Sequence, residues 1–260
     1  MARQKLDKEV KKNILKARKL IEAIAQKDAN EAETRKRIHD ICEALMGYRF
    51  EHISYEFEIP TAGESVRCDL AIQIDHEESS KPDFLIEVKK VNMDLMPKHI
   101  GQAARYTIDI GCEWVLLTNA KEWRLYHVSF GKPPQTKLVD AWNLISDEPA
   151  ILAEKFGLIC YKNIKRGSLA KLWEKSNVLT PQNLLKIILS EQSLKSIRRE
   201  LKRATEVAVS PEEIVGAIRH MLNEAAVGEM EKVKISLPVK KQRKTTSPKR
   251  SKEEENKQGG

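Results

Sequence analysis

Apolar residues divide this chain into three stretches with different periods. Over residues 3–27, Leu6, Val10, Ile14, Ile21 and Ile24 recur mostly at three- to four-residue steps among Lys, Glu and Ala, with no Gly or Pro. This spacing predicts one long amphipathic helix. A second helix is expected over 31–46, with Ile38, Ile41, Cys42 and Leu45 as its buried stripe and Gly47 ending it. From residue 52 the period drops to two. Residues 52–59 alternate apolar and polar as a half-buried strand does, Pro60 to Gly63 reads as a turn, and 66–74 as the returning strand. Phe84–Val88 is more continuously apolar, which suits the centre of a sheet. A helix at about 97–110 and strands at 114–118 and 123–128 complete the pattern. Helix, three strands, helix and two strands predict an α/β sandwich around a mixed sheet.

Beyond residue 135 the period is helical again. Thr180-Pro181 and Ser210-Pro211 are helix starts, and Ser210 with Glu213 makes a capping box. Helices are expected near 181–190, 191–206 and 211–225. The predicted organisation is an N-terminal helix (1–30), an α/β core (31–135), a mostly helical extension (136–238) and a basic tail (239–260).

Composition narrows the function classes. No run approaches the roughly 18 apolar residues of a membrane span, and the first residues lack the apolar core of a signal peptide, so a cytoplasmic protein is expected. Cysteines 42, 68, 112 and 160 form no Cys-x-x-Cys pair, which argues against zinc or a disulfide framework; the first three sit in apolar patterns and read as core. The net charge of +8 hints at a polyanionic partner, but residues 239–260 hold eight Lys/Arg against three Glu and account for +5 of it. That tail reads as a solvated segment or a DNA-tethering arm.

The chemistry lies in Asp69, Glu87-Val-Lys89, and Gln102 with Tyr106. In-line hydrolysis of a phosphodiester needs a hard cation that stabilises charge on the phosphate and lowers the pKa of a bound water. Asp69 and Glu87, with the backbone carbonyl of Val88, could hold Mg²⁺, with Mn²⁺ as substitute. Both carboxylates stand in apolar strands, where an uncompensated charge costs several kcal/mol, and a shared metal would compensate both. Lys89 is two residues past Glu87, hence on the same face of the strand, where its ammonium can position water or neutralise phosphate. Gln102 and Tyr106, four apart on a helix, share a face and can support the site by hydrogen bonds. Glu43, on the preceding helix, is a further candidate metal ligand. Asp83 competes with Asp69, but lies on the same strand as Glu87, some 13 Å away at about 3.3 Å per residue. The histidines form no metal-spaced pair; His99, near a helix start, is a candidate phosphate contact.

Arg67-Cys-Asp69, Phe84-Leu-Ile-Glu87-Val-Lys89-Lys90 and Gln102-x3-Tyr106 resemble the PD-(D/E)xK nuclease superfamily, and most closely the N-terminal nuclease domain of type I restriction enzyme R subunits, over about residues 31–130. The resemblance implies a restriction-endonuclease-like fold and a Mg²⁺-dependent endonuclease acting on DNA, in restriction or phage defence. It carries Asp69 and Glu87 onto the metal, Lys89 onto the water, and Gln102 and Tyr106 into support. Cys68 stands where the family name has proline. The chain contains no Gly-x4-Gly-Lys-Ser/Thr, so a free-standing relative without helicase motor or nucleotide cofactor is expected. Cutting both strands from one site per chain favours a homodimer. The alternative is a catalytically silent nuclease-fold protein that binds DNA or scaffolds partners.

Overall fold

The computed structural model describes residues 7–59, 66–75, 81–131, 133–222, 227, 228, 230 and 233, and of Val66, Gln102 and Tyr106 only the backbone. The turn at 60–63, the first residues of the first helix, the end of the last helix, His76 and the basic tail lie outside that description. The chain divides into two units, Met1–Asn177 and Val178–Gly260.

The first unit begins with α1 (Lys8–Gln26) and α2 (Glu31–Met46). Asp7 and Asn30 cap them by accepting the N–H groups of Glu9 and Glu33, which would otherwise lack partners. Gly47 closes α2 at φ 73°, a left-handed conformation that glycine adopts without a side-chain clash. Six strands follow: β1 (Ile53–Ile59), β2 (Val66–Ile72), β3 (Phe84–Val88), β4 (Trp114–Thr118), β5 (Glu122–Ser129) and β6 (Gln135–Asn143). They lie side by side in chain order. Only β3 and β4 are parallel, because α3 (Pro97–Ile110) connects them as a crossover; every other neighbour is antiparallel.

The α/β sandwich with a mixed sheet is therefore present, and its sheet extends beyond the expected limit. β6 pairs with β5 along its length, so the segment after residue 135 starts with a strand rather than a helix. α4 (Pro149–Leu158), α5 (Tyr161–Ile164) and α6 (Ser168–Val178) follow. α4 packs on α1, α2 and β6, which keeps this part of the expected extension in the first unit.

One sheet face packs Leu70, Ile72, Phe84, Ile86 and Val88 against Ile14, Ile21, Ile38 and Ile41 of α1 and α2. The other face sets Val115, Leu117 and Val128 against Ile100, Ala103 and Ala104 of α3. α1 is also tied down by Arg18, which donates to the carbonyls of Leu144 (2.9 Å) and Asp147 (2.6 Å) after β6. The long N-terminal helix thus packs on its own domain.

In the second unit α7 (Pro181–Ile188), α8 (Glu191–Thr205) and α9 (Pro211–Met221) pack Leu185, Leu189, Leu194, Ile214 and Ile218 together. Thr180 and Ser210 cap as expected, and Ser210 with Glu213 forms the capping box. No helix among the described residues is long and apolar enough to cross a membrane.

Candidate active site

Strand register brings the two carboxylates together. Leu70 stands opposite Ile86, so one further step along the antiparallel pair sets Asp69 opposite Glu87. On the other side, Tyr55–Leu70 and Phe57–Cys68 flank the position that would pair Glu56 with Asp69. Three acidic residues thus stand at one level across β1, β2 and β3. Glu56 leaves the extended conformation there, with φ 45°. A non-glycine residue in that region costs about 1–2 kcal/mol, and the ladder is irregular at that step.

Hydrogen bonds fix the acidic groups. Asp69 accepts the Val88 N–H on Oδ2 (2.8 Å) and an Arg35 N–H on Oδ1 (3.0 Å). Lys89 Nζ lies 2.7 Å from Glu87 Oε1 and 3.9 Å from Glu31 Oε2. Arg35 also reaches Glu56 at 3.3 Å, and Glu56 pairs with Arg67 at 3.5 Å. Glu87, Asp69 and Lys89 retain only 7, 13 and 15% of their side-chain exposure, so the cluster is walled but open to solvent.

Burial pushes the Glu87 carboxyl above its ordinary value, with the negative charges of Asp69 and Glu31 adding to it; the Lys89 contact opposes this and loses. For Lys89, burial works against the charged form, yet the hydrogen bond and charge of Glu87, then Glu31 and Asp69, outweigh it and raise the ammonium's pKa. Lys89 is therefore a fixed cation at neutral pH.

These contacts change one part of the electrostatic expectation. Each of the two carboxylates already has a cation, Arg35 for Asp69 and Lys89 for Glu87, so a shared metal is not the sole compensation available. The donor set nevertheless fits a hard divalent ion. A carboxylate offers about four lone-pair positions, and the hydrogen bonds to Asp69 and Glu87 leave some of them over. In an extended strand the N–H and C=O of one residue leave by the same edge. Val88 gives its N–H to Asp69, so its carbonyl also faces the β2 side. Among the described residues, no group of three or more His, Cys, Asp or Glu closes into a metal cage.

The other candidates separate cleanly. Asp83 accepts the Ile74 N–H at the opposite end of β3 and takes no part in the cluster. Glu43 is a correction. It pairs with His39 at 3.5 Å and lies twelve residues beyond Glu31 on α2, about 18 Å along the axis at 1.5 Å per residue. The acid that α2 brings to Lys89 is Glu31. Gln102 and Tyr106 fall one turn apart on α3, the helix covering Leu117, which is the register partner of Glu87. Their side chains lie outside the described residues. His99 Nδ1 accepts the Met96 N–H, and burial together with the positive charges of Lys89 and Lys98 holds its pKa down.

Sequence reasoning missed Glu31, Arg35 and Glu56. Glu31 and Arg35 are four apart on α2 and share a face, but that face looks like ordinary solvated helix until β2 and β3 are placed beside it. Cys42, Cys68 and Cys112 are buried and unpaired by disulfides, as their apolar setting indicated.

No curated protein and no solved structure matches the chain. A family model does, from α2 through most of β6, a span that includes every residue of the acidic cluster. Residues 30–140 match the family described as the type I restriction enzyme R protein N terminus.

Proposed function

We propose that this protein is a Mg²⁺-dependent endonuclease that hydrolyses DNA phosphodiester bonds, with a role in restriction or phage defence. The observation that carries this reading is the register between β2 and β3, which sets Asp69 opposite Glu87 with Lys89 hydrogen-bonded to Glu87 at 2.7 Å. A bound Mg²⁺ would supply Lewis acidity at the phosphate and a water of lowered pKa. Asp69, Glu87 and the Val88 carbonyl would hold it.

The chain's own groups divide the remaining work. Lys89, held as a cation, cannot take a proton from water at neutral pH. Its part is electrostatic: it stabilises charge accumulating on the phosphate oxygens and orients the attacking water. Arg35 sits beside Asp69 with a planar fork of donors, the geometry that suits two phosphate oxygens. Glu31 adds a second carboxylate 3.9 Å from the Lys89 ammonium. Gln102 and Tyr106, on the helix that covers this sheet face, are proposed to orient water or the DNA backbone.

A direct test incubates supercoiled plasmid and linear duplex with the protein in Mg²⁺, in Mn²⁺ and in EDTA. Cutting of the closed circle in either metal and none in EDTA is expected. No metal-dependent cutting of any DNA, with binding intact, would replace this reading by that of a silent nuclease-fold binding protein.

A further inference from the structure

The second unit carries a charged surface of its own. α8 is sharply two-sided: Leu194 is buried and Ile197 packs beside it against Leu185, Leu189, Ile214 and Ile218. Lys195, Arg198, Arg199, Lys202 and Arg203 are all exposed. At 3.6 residues per turn these five fall on one continuous arc of about 140°, turned away from the apolar side, and run about 12 Å from Lys195 to Arg203.

This is more than a solvated helix of alternating charge. α8 holds five cations against two carboxylates, Glu191 and Glu200. Glu191 pairs with Lys195, while Glu200 is shared between Arg199 (3.4 Å) and Arg203 (3.6 Å). Among the described residues, Arg198 and Lys202 carry no ion pair. Exposed pairs of this kind contribute little and exchange readily for a better anion.

Three of the five cations are arginines, whose guanidinium forks match phosphate oxygens two at a time. Each strand of duplex DNA carries one phosphate per about 3.4 Å of axis, so a 12 Å face runs past three or four phosphates of one strand, and the major groove is about as wide as this face is long. The chain then continues to residues 239–260, with eight Lys/Arg against three Glu.

We propose that the exposed basic face of α8 is a docking surface for the phosphate backbone of duplex DNA, in a different unit from the acidic cluster. The choice of duplex DNA as occupant rests on the nuclease reading above. The surface would supply hold on the substrate without reading its sequence, since phosphate contacts position and do not specify.

The test measures binding of the full chain to a short labelled duplex in EDTA over a range of salt. The variants are Arg198→Ala/Lys202→Ala/Arg203→Ala and the charge-keeping Arg198→Lys/Arg203→Lys. The triple variant should lower the salt slope by about 3 and weaken binding on the order of a hundredfold near about 0.1 M salt, through three lost phosphate contacts. The Lys double variant keeps the charge but loses the guanidinium forks, so it should keep the wild-type salt slope and bind between wild type and the triple variant. Should the triple variant fail to fold, Arg198→Ala and Lys202→Ala alone should each lower the slope by about 1. Unchanged affinity and slope would overturn the proposal, as would tighter binding to polyglutamate or to single-stranded RNA than to duplex DNA. A parallel Mg²⁺ cleavage assay separates the two readings. Cutting by wild type with binding untouched in the α8 variants removes this surface and leaves the nuclease. Binding through α8 without cutting does the reverse.

Discussion

Lys89 is a permanent cation at neutral pH, and Glu87 is an acid that burial makes reluctant to ionise; the residue-scale behaviour follows from that difference. The folded-state pKa of Glu87 is raised, so its protonated form favours the fold. That contribution is fully present below the unfolded value and is lost as pH rises through the folded one. At neutral pH the ionised group therefore costs stability, and a divalent cation offsets the cost. Mg²⁺ at a hundred times its Kd should stabilise the protein by about 2.7 kcal/mol at pH 7.5, or roughly 5–10 °C in Tm for a chain of this size. The effect should shrink on going to pH 5, and Glu87→Gln should remove it; a Mg²⁺ stabilisation independent of pH would contradict this role. Arg35→Ala removes a competing positive charge 3.0 Å from Asp69. It should tighten Mg²⁺ binding several-fold by calorimetry, on the order of 1 kcal/mol for a partly exposed charge pair, while slowing any cutting. Arg35 could not have been assigned this position from sequence, because helical spacing gives its face but not the strand that face meets. Asp69 and Glu87 were legible for the opposite reason: a charge inside an apolar strand is anomalous locally, with no tertiary knowledge required.

At the scale of elements, period and caps carried most of the information. α2, β3, α3 and β4 have the bounds that spacing predicted, because each is ended by a strong local signal such as Gly47 after α2 or Pro97 at the start of α3. β6 was not legible. Its exposed and half-exposed residues, Gln135, Thr136, Lys137 and Asp140 among them, give an edge strand without a clean alternation, and its pairing with β5 slips between Leu125 and Tyr126. Trp142, stacked on Trp123 with ring centroids 6.2 Å apart, and Val139 anchor it in the core. The long N-terminal helix depends on a different tie, the two carbonyls that accept from Arg18. Arg18→Ala should cost about 2–3 kcal/mol, since hydrogen bonds from a charged donor are worth about 1.5–3 kcal/mol each and part of that is recovered by water. Urea unfolding would measure it, as a lower midpoint with unchanged slope. No shift would mean that α1 is held by its apolar stripe alone.

At the scale of the whole molecule, the sheet with its helices and the three-helix unit are separate compact bodies that meet in sequence near Val178. Among the described residues, limited proteolysis should therefore cut first near Val178 and Leu179, which are exposed, and leave a resistant N-terminal fragment. Early cutting inside the sheet would contradict that division. The family match ends within β6, so the described architecture continues well past the matched segment. The most direct measurement of the central claim is the rate of Mg²⁺-dependent plasmid cutting by wild type, Asp69→Ala, Glu87→Gln and Lys89→Ala, with DNA affinity measured for each. Removing a preorganised electrostatic group typically costs about 10²–10³ in rate. Each variant is predicted to fall by at least that much while binding DNA as wild type does. Cutting by all three at the wild-type rate would contradict the assignment of the site.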